Sequence, residues 1–434
     1  MRTHTSHRWF FLLPLVLTMA GTAAGQAPEG VPADWKKTET AAETEYKQPL
    51  AEGGAADAKI RSFLRDKALP QLALESNRTT IEKTRRRMRD FLLGGIEDAK
   101  AFDDVSRVVL DFMAAVARDG DADPVVRVNA MLLVGELRAK DNKQPWAPAV
   151  PVLAAGVADA KLPSEVRIAA LVGLARHLEV AKAAGGELPD AKAVVDALSL
   201  VVTSPAAPMD PAAMNWLLSR ALTALPAASP ALPKAVAAAV VKILEDSNRP
   251  FDVRVRAAAA LGAAAKPDSG IDAPKTVATI QSLARAALAR DLELVAQQRA
   301  EENFGTTLAT DANPPKEESR NRTAMAELAC RRNAWRLVTL ADAVASEDGS
   351  AGLATLLGKA GDAARELAKT LRSQGLAIDA DPTEDAIMTA AEALGGTASP
   401  TGTAAARNAS PAQPAPQPAA KPDSPAEAVN PFAK

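Results

Sequence analysis

The 434-residue chain is predicted to be all-α, a tandem array of two-helix repeats with a helical cap behind it and disordered segments at both ends. Three observations carry this expectation. From Asp57 onward Ala, Leu, Val, Arg and Glu recur with apolar residues at helical spacing, and period-2 alternation is scarce. Short Pro, Asp and Gly punctuation interrupts the pattern roughly every 12–20 residues, the spacing of helix ends. The chain also resembles itself at a period near 40 residues, developed below. Hydrophobic letters make up 47% of the sequence, enough for a sizeable core. A net charge of −2 excludes the dense Lys and Arg surface that nucleic-acid binding requires.

The N-terminus comes first. Arg2, His4, His7 and Arg8 precede the apolar stretch Trp9–Ala20, and small residues follow from Gly21 to Gly25. This is the layout of a secretory signal peptide over residues 1–25. Twelve apolar residues are too few to span a bilayer, which needs about 20, so cleavage is expected rather than anchoring. No Cys is present there to carry a lipid. The expected mature protein is exported, periplasmic or secreted, with no stable membrane insertion. Cleavage removes Arg2 and Arg8 and no acid, leaving a net charge of −4 with one His (His177), one Cys (Cys330) and one Tyr (Tyr46). An intrachain disulfide, a Cys/His zinc cluster and any Ser-His triad that does not include His177 are thereby excluded.

Residues 26–56 mix Pro, Gly, Glu and Lys without apolar periodicity and read as a flexible leader. A helix near 57–75 is expected to cap the repeats, which with it span 57–290. The clearest copies are Asp123-Pro124-Val125-Val126-Arg127, with Ala130 and Gly135, and Phe251-Asp252-Val253-Arg254, with Ala257 and Gly262. In both, Ala follows the Arg by three residues and Gly by eight. Leu162-Pro163-Ser164-Glu165-Val166-Arg167 with Ala170 is a third copy, and Asp210-Pro211 with Met214 a weaker one. A degenerate first copy has Arg87 and Gly95. The key positions are 87, 127, 167, 214 and 254. Each copy is followed by a second amphipathic stretch, at 104–118, 145–158, 190–203, 232–246 and 275–290. Pro just before Val-Arg suits a first helical turn, where its missing N–H is harmless.

At these residues the sequence resembles HEAT repeats, whose pattern is a Pro, then Val-Arg, then spaced Ala and Leu. The resemblance covers about residues 79–290 and implies an α-solenoid of about five helix-turn-helix repeats. It also implies that Arg127, Arg167 and Arg254 bond acids and carbonyls of the neighbouring repeat, with Asp121 placed to meet Arg127. Pro124, Val126, Gly135, Pro163, Val166, Val253 and Gly262 are the remaining structural repeat positions. The 87 and 214 copies lack Val-Arg and are expected to be a terminal cap and a distorted repeat.

After 290 the period is lost. Residues 291–321 read as a helix end and a loop, and 322–394 as a helical C-terminal cap or small bundle, with helices at 322–345, 352–374 and 383–394. Residues 395–434 are rich in Ala and Pro and are expected to be disordered.

Candidate chemistry is sparse. His177 reads as a core or capping histidine, Cys330 beside Arg331 and Arg332 as a small buried hydrophobe, and the run Lys83, Arg85, Arg86, Arg87, Arg89 as a solvated helix face. Gly358-Lys359 lacks the spacing of a phosphate loop, and Glu301-Glu302 lacks the facing geometry of paired catalytic acids. No catalytic residue, metal ligand or cofactor is assigned. The expected function is an exported non-catalytic scaffold that holds a protein or peptide partner, not nucleic acid, in a groove of the repeats. Specific partner-binding residues are unknown, but by the resemblance they belong on the second helices. An enzyme of the lyase-like helical-repeat type and a structural spacer of the cell envelope are the alternatives.

Overall fold

The computed structural model describes residues 35–51, 57–186, 188–204, 209–229, 231–264, 270–308, 316–345, 350–374 and 382–394. The expected signal peptide and Pro-rich tail lie outside the described residues. All regular structure among the described residues is helical. They fall into two compact units, one reaching to Ala287 and including Arg332–Asp362, the other made of Leu288–Arg331 and the residues from Ala363.

The first unit begins earlier than the sequence suggested. Residues 35–51, expected to be flexible leader, are helical: α1 (Trp35–Ala42), a π-turn (Glu43–Lys47) and α2 (Gln48–Ala51). Thr38, Ala42, Tyr46 and Leu50 are all buried at a spacing of four. The stripe escaped notice because it is one residue wide and contains a Thr, an Ala and the lone Tyr. Burying it needs a partner for the phenol, and the Tyr46 hydroxyl donates to the Leu92 carbonyl while its ring stacks on Phe63 at 5.7 Å. The expected helix at 57–75 is broken: α3 (Ala58–Ser62) runs into a π-helical segment (Phe63–Ala68) and then short 3₁₀ turns (Leu69–Ala73, Glu75–Thr80).

The repeat follows as α4 (Ile81–Leu93), α5 (Ala99–Arg118), α6 (Pro124–Val134), α7 (Ala149–Ala158), α8 (Ser164–Ala184), α9 (Ala191–Thr203), α10 (Pro211–Ala228), α11 (Lys234–Glu245), α12 (Phe251–Ala264) and α13 (Ala273–Leu308). The starts are written in the sequence. Asp98, Asp123 and Asp210 each accept a hydrogen bond from a first-turn N–H, and Pro124 and Pro211 follow as the first helical residues. Pro163 is the exception, standing one place earlier as the N-cap of α8.

Helices pack in two registers. Each is paired with its neighbour across a tight turn, α5 with α6, α7 with α8, α11 with α12, and α9 with α10 across a longer link. Successive pairs then stack, α6 on α8, α8 on α10 and α10 on α12, with α7 on α9 and α9 on α11. The hairpin unit is therefore out of phase with the grouping read from the sequence: α6 touches α7 only slightly. The physical reason is connector length, since five residues (119–123) join α5 to α6 whereas fourteen (135–148) separate α6 from α7. At Gly135 the α6 backbone meets that of α8, and a Cβ on Gly173 would stand 2.6 Å from the Gly135 Cα. Gly262, the equivalent of Gly135, presses against the Ala343 backbone in the same way. The core is aliphatic; Leu133, Val134, Leu137, Leu171 and Leu174 are at most 1% exposed. Each such side chain contributes about 1.5–3 kcal/mol by leaving water.

The remaining helices are α14 (Lys316–Val344), α15 (Ala351–Gln374) and α16 (Pro382–Ala393). The expected loop at 291–321 is largely helix, because α13 continues to Leu308 and α14 starts at Lys316. In the second unit Val295, Ala326, Cys330, Leu367, Leu371 and Ile387 are buried. Glu327 there accepts from Arg331 at 2.5 Å and pairs with Arg372 at 2.8 Å. No described helix is long and apolar enough to cross a membrane.

Candidate functional site

The repeat arginines have one geometry. Arg127 Nε donates to the Ala117 carbonyl at 3.2 Å, Arg167 Nε to Val157 at 3.1 Å and Arg254 Nε to Leu244 at 2.8 Å. Each carbonyl lies ten residues back, in the last turn of the preceding helix, where no intrahelical donor remains. A guanidinium there also meets the negative end of the helix. The acid at this corner is not Asp121. Asp119, Asp159 and Asp246, each eight residues before its Arg, close the turn by accepting the N–H of the residue two places on, at 3.0, 2.9 and 3.0 Å. Burial lowers the pKa of Arg167 and Arg254, and Asp159 and Asp246 oppose that shift. These groups staple one hairpin rather than bridge two. The Asp-to-Arg spacing of eight, present in three copies, was the signal that would have found them.

The other sequence candidates have settled roles. His177 is 4% exposed in α8, and burial, helped by the Arg176 charge, pushes its pKa down to about 4. Cys330 is buried and in no disulfide. The run at 83–89 is a solvated face at Lys83, Arg86 and Arg87, which are exposed, but not at Arg85. Arg85 is buried, donating to Asn129 Oδ1 at 2.8 Å and pairing with Glu136 at 3.2 Å. Arg87 forks onto Glu39 at 2.9 and 2.6 Å. Glu136 also faces Arg89 at 3.4 Å and Arg176 at 3.6 Å, so three guanidiniums share one largely buried carboxylate.

Glu136 and Asn129 belong to a ridge that runs over α6, α8, α10 and α12. Asn129, Trp216 and Arg256 each stand two residues after the repeat Arg or its stand-in Met214, and Glu136, Arg176 and Thr223 stand nine after. At α10 and α12 the ridge becomes a compact group. Arg220 lies over the Trp216 ring at 5.0 Å, and Arg256 over the Trp335 ring at 5.0 Å. Arg256 Nη1 donates to Thr223 Oγ1 at 2.6 Å, tying the two stacks together. Trp335 remains 37% exposed. Asp252, the nearest acid, is taken by Arg336 at 2.8 Å. Among the described residues neither Arg220 nor Arg256 has a carboxylate partner. The arrangement holds two cations, an exposed Arg220 and a half-buried Arg256, each over an aromatic ring.

The opposite helices offer less. The exposed residues of α7, α9 and α11 include Pro151, Ala155, Leu200, Ala235 and Ala238. Of their charges, Lys192 pairs with Asp196 at 2.6 Å and Glu245 with Lys275 of α13 at 2.7 Å, while Lys234 and Lys242 have no ion pair among the described residues. A cleft of about 270 Å³ lies between the 3₁₀ turns and the α5–α6 corner, floored by Leu72, Met113 and Val116. Two of its rim acids are committed to the fold, Asp119 to its turn and Asp123 to the α6 N-cap and Arg78 at 3.1 Å. Among the described residues no group of three His, Cys, Asp or Glu is placed to hold a metal ion. Comparison with protein-family models, with curated proteins and with solved structures found no match.

Proposed function

We propose that the chain is an exported, non-catalytic α-solenoid of about five HEAT-like repeats that holds a polypeptide partner. The repeat reading is supported by the thrice-used Asp–Arg corner and by the stacking of successive hairpins. Function is carried by one observation: Arg220 of α10 and Arg256 of α12, the latter over Trp335 of α14, are displayed together with no ion pair among the described residues. Trp and Arg are the side chains that concentrate binding energy at protein interfaces, and a fold that only needed stability would pair or bury them. The binding face is accordingly assigned to α6, α8, α10 and α12 rather than to the intervening helices that sequence suggested. Both candidates for nucleophile and base, Cys330 and His177, are buried, which favours binding over catalysis.

The test is capture of partners from an envelope extract by the mature chain, with cross-links mapped to residues. Cross-links on α10 and α12 support the proposal, and a partner attached only to α7, α9 and α11 refutes the choice of face. The same capture by a chain ending at Gly396, in a chelator, is expected to be unchanged, since neither tail nor metal is assigned a role.

A further inference from the structure

We infer that Arg220 and Arg256, held on Trp216 and Trp335, form a carboxylate-binding subsite for an acidic segment of a polypeptide. The inference rests on the scaffold reading for its polypeptide and adds the chemistry of the contact. A guanidinium is a planar fork whose donors match the two oxygens of a carboxylate, and stacking on an aromatic ring fixes the plane of that fork before the ligand arrives. Both arginines here are stacked, and Thr223 holds Arg256 in rotation by one hydrogen bond at 2.6 Å. Arg256 Nε is buried with no acceptor among the described residues. Burial and the neighbouring Arg220 charge both lower the Arg256 pKa, so the pair is electrostatically uncomfortable as it stands. One or two carboxylates placed between them remove that repulsion.

Charge selects the ligand class. Two cations that Asp252 only partly offsets fit two neighbouring acidic side chains. A longer polyanion needs a run of available cations, and along this ridge Arg85, Arg89 and Arg176 are already engaged by Glu136 and Arg336 by Asp252.

The experiment is titration of the full-length chain with an acetylated, amidated peptide carrying alternating Asp and Glu, followed by tryptophan fluorescence and calorimetry. A peptide of the same length with Asn and Gln, inorganic phosphate, and a single-stranded oligonucleotide of equal charge are the comparison ligands. The acidic peptide is expected to bind at least about tenfold more tightly than its amide counterpart and to weaken as salt rises. Arg220→Gln/Arg256→Gln is expected to lose about tenfold or more, and Arg220→Gln alone, which removes an exposed side chain, about threefold. Equal binding of acid and amide peptides, tighter binding of the oligonucleotide or of phosphate, or full affinity in a folded double variant would overturn the inference. Should the double variant unfold, the single one decides. A captured partner that stays cross-linked to α10 and α12 after the double substitution overturns the carboxylate subsite and leaves the scaffold reading standing. Cross-links confined to other helices overturn the scaffold reading of this ridge, while the peptide titration still reads the subsite directly.

Discussion

Acid should weaken this fold through a single imidazole. His177 stands ten residues after Arg167, in the place that Leu137 holds ten residues after Arg127, and both are buried. Its Nε2 is buried without a hydrogen-bond partner among the described residues, and its folded pKa is pushed down to about 4. In the unfolded chain the ring titrates near 6.5. Below that value the unfolded state takes up a proton that the folded state refuses until pH falls to about 4. The contribution is therefore fully present above pH 6.5 and is lost as pH falls toward the folded pKa. The slope is about 1.4 kcal/mol per pH unit, giving roughly 2 kcal/mol lost by pH 5. His177→Leu, which restores the residue of the preceding repeat, removes the titration. Urea unfolding at pH 7.5 and pH 5.0, followed by circular dichroism with hydrogen exchange of α8, measures it. Carboxylate effects are common to both proteins and cancel in the difference. The stability gap in favour of the Leu variant should widen by about 2 kcal/mol at the lower pH. A gap that does not change, or an imidazole that titrates near its ordinary value in the folded protein, would refute the reasoning.

Three further outcomes are expected. Gly135→Ala should cost roughly 1–3 kcal/mol, because its methyl runs into the Gly173 backbone and cannot be accommodated by a side-chain rotation. Gly120→Ala, with nothing within 4 Å, is the control and should be near neutral in the same denaturation assay. Arg127→Ala should lower stability by roughly 1–3 kcal/mol by leaving the Ala117 carbonyl without its donor, and exchange protection should fall at the α5–α6 corner first. If the chain is exported as proposed, its intact mass should place the first residue near Gly25 or Gln26 with no lipid, and a mass that includes Trp9–Ala20 would mean the segment is retained.

What the sequence disclosed depended on how local the determining interaction is. Helix starts were readable because an Asp cap and a following Pro act within four residues, as at Asp123-Pro124 and Asp210-Pro211. The 40-residue period was readable because the same corner is built three times from the same side chains. Residues 35–51 were not, since a stripe of Thr38, Ala42, Tyr46 and Leu50 is apolar only once Leu92 and Phe63 supply the surroundings. Arg85 was misjudged for the same reason: five cations on one helix look solvated until Asn129 and Glu136, over 40 residues away in sequence, are brought to it.

The phase of the hairpin shows how far a local pattern reaches. A period says how often a unit recurs and nothing about where the unit begins, so α6 followed by α7 and α5 followed by α6 are equally periodic. The Asp–Arg corner decides between them, because a carbonyl only ten residues before the Arg can be reached only if the two helices turn back on each other directly. Once α5 and α6 form the hairpin, the Val-Arg helices stack as one row, α6, α8, α10 and α12, and their outward positions fall into register two and nine residues after the key position. Those positions hold Asn129, Glu136, Arg176, Trp216, Thr223 and Arg256, with Ala169 and Ala263 at the two remaining places. The same Arg that fixes the turn on one side of the helix thus fixes, by helical geometry, which residues are presented on the other.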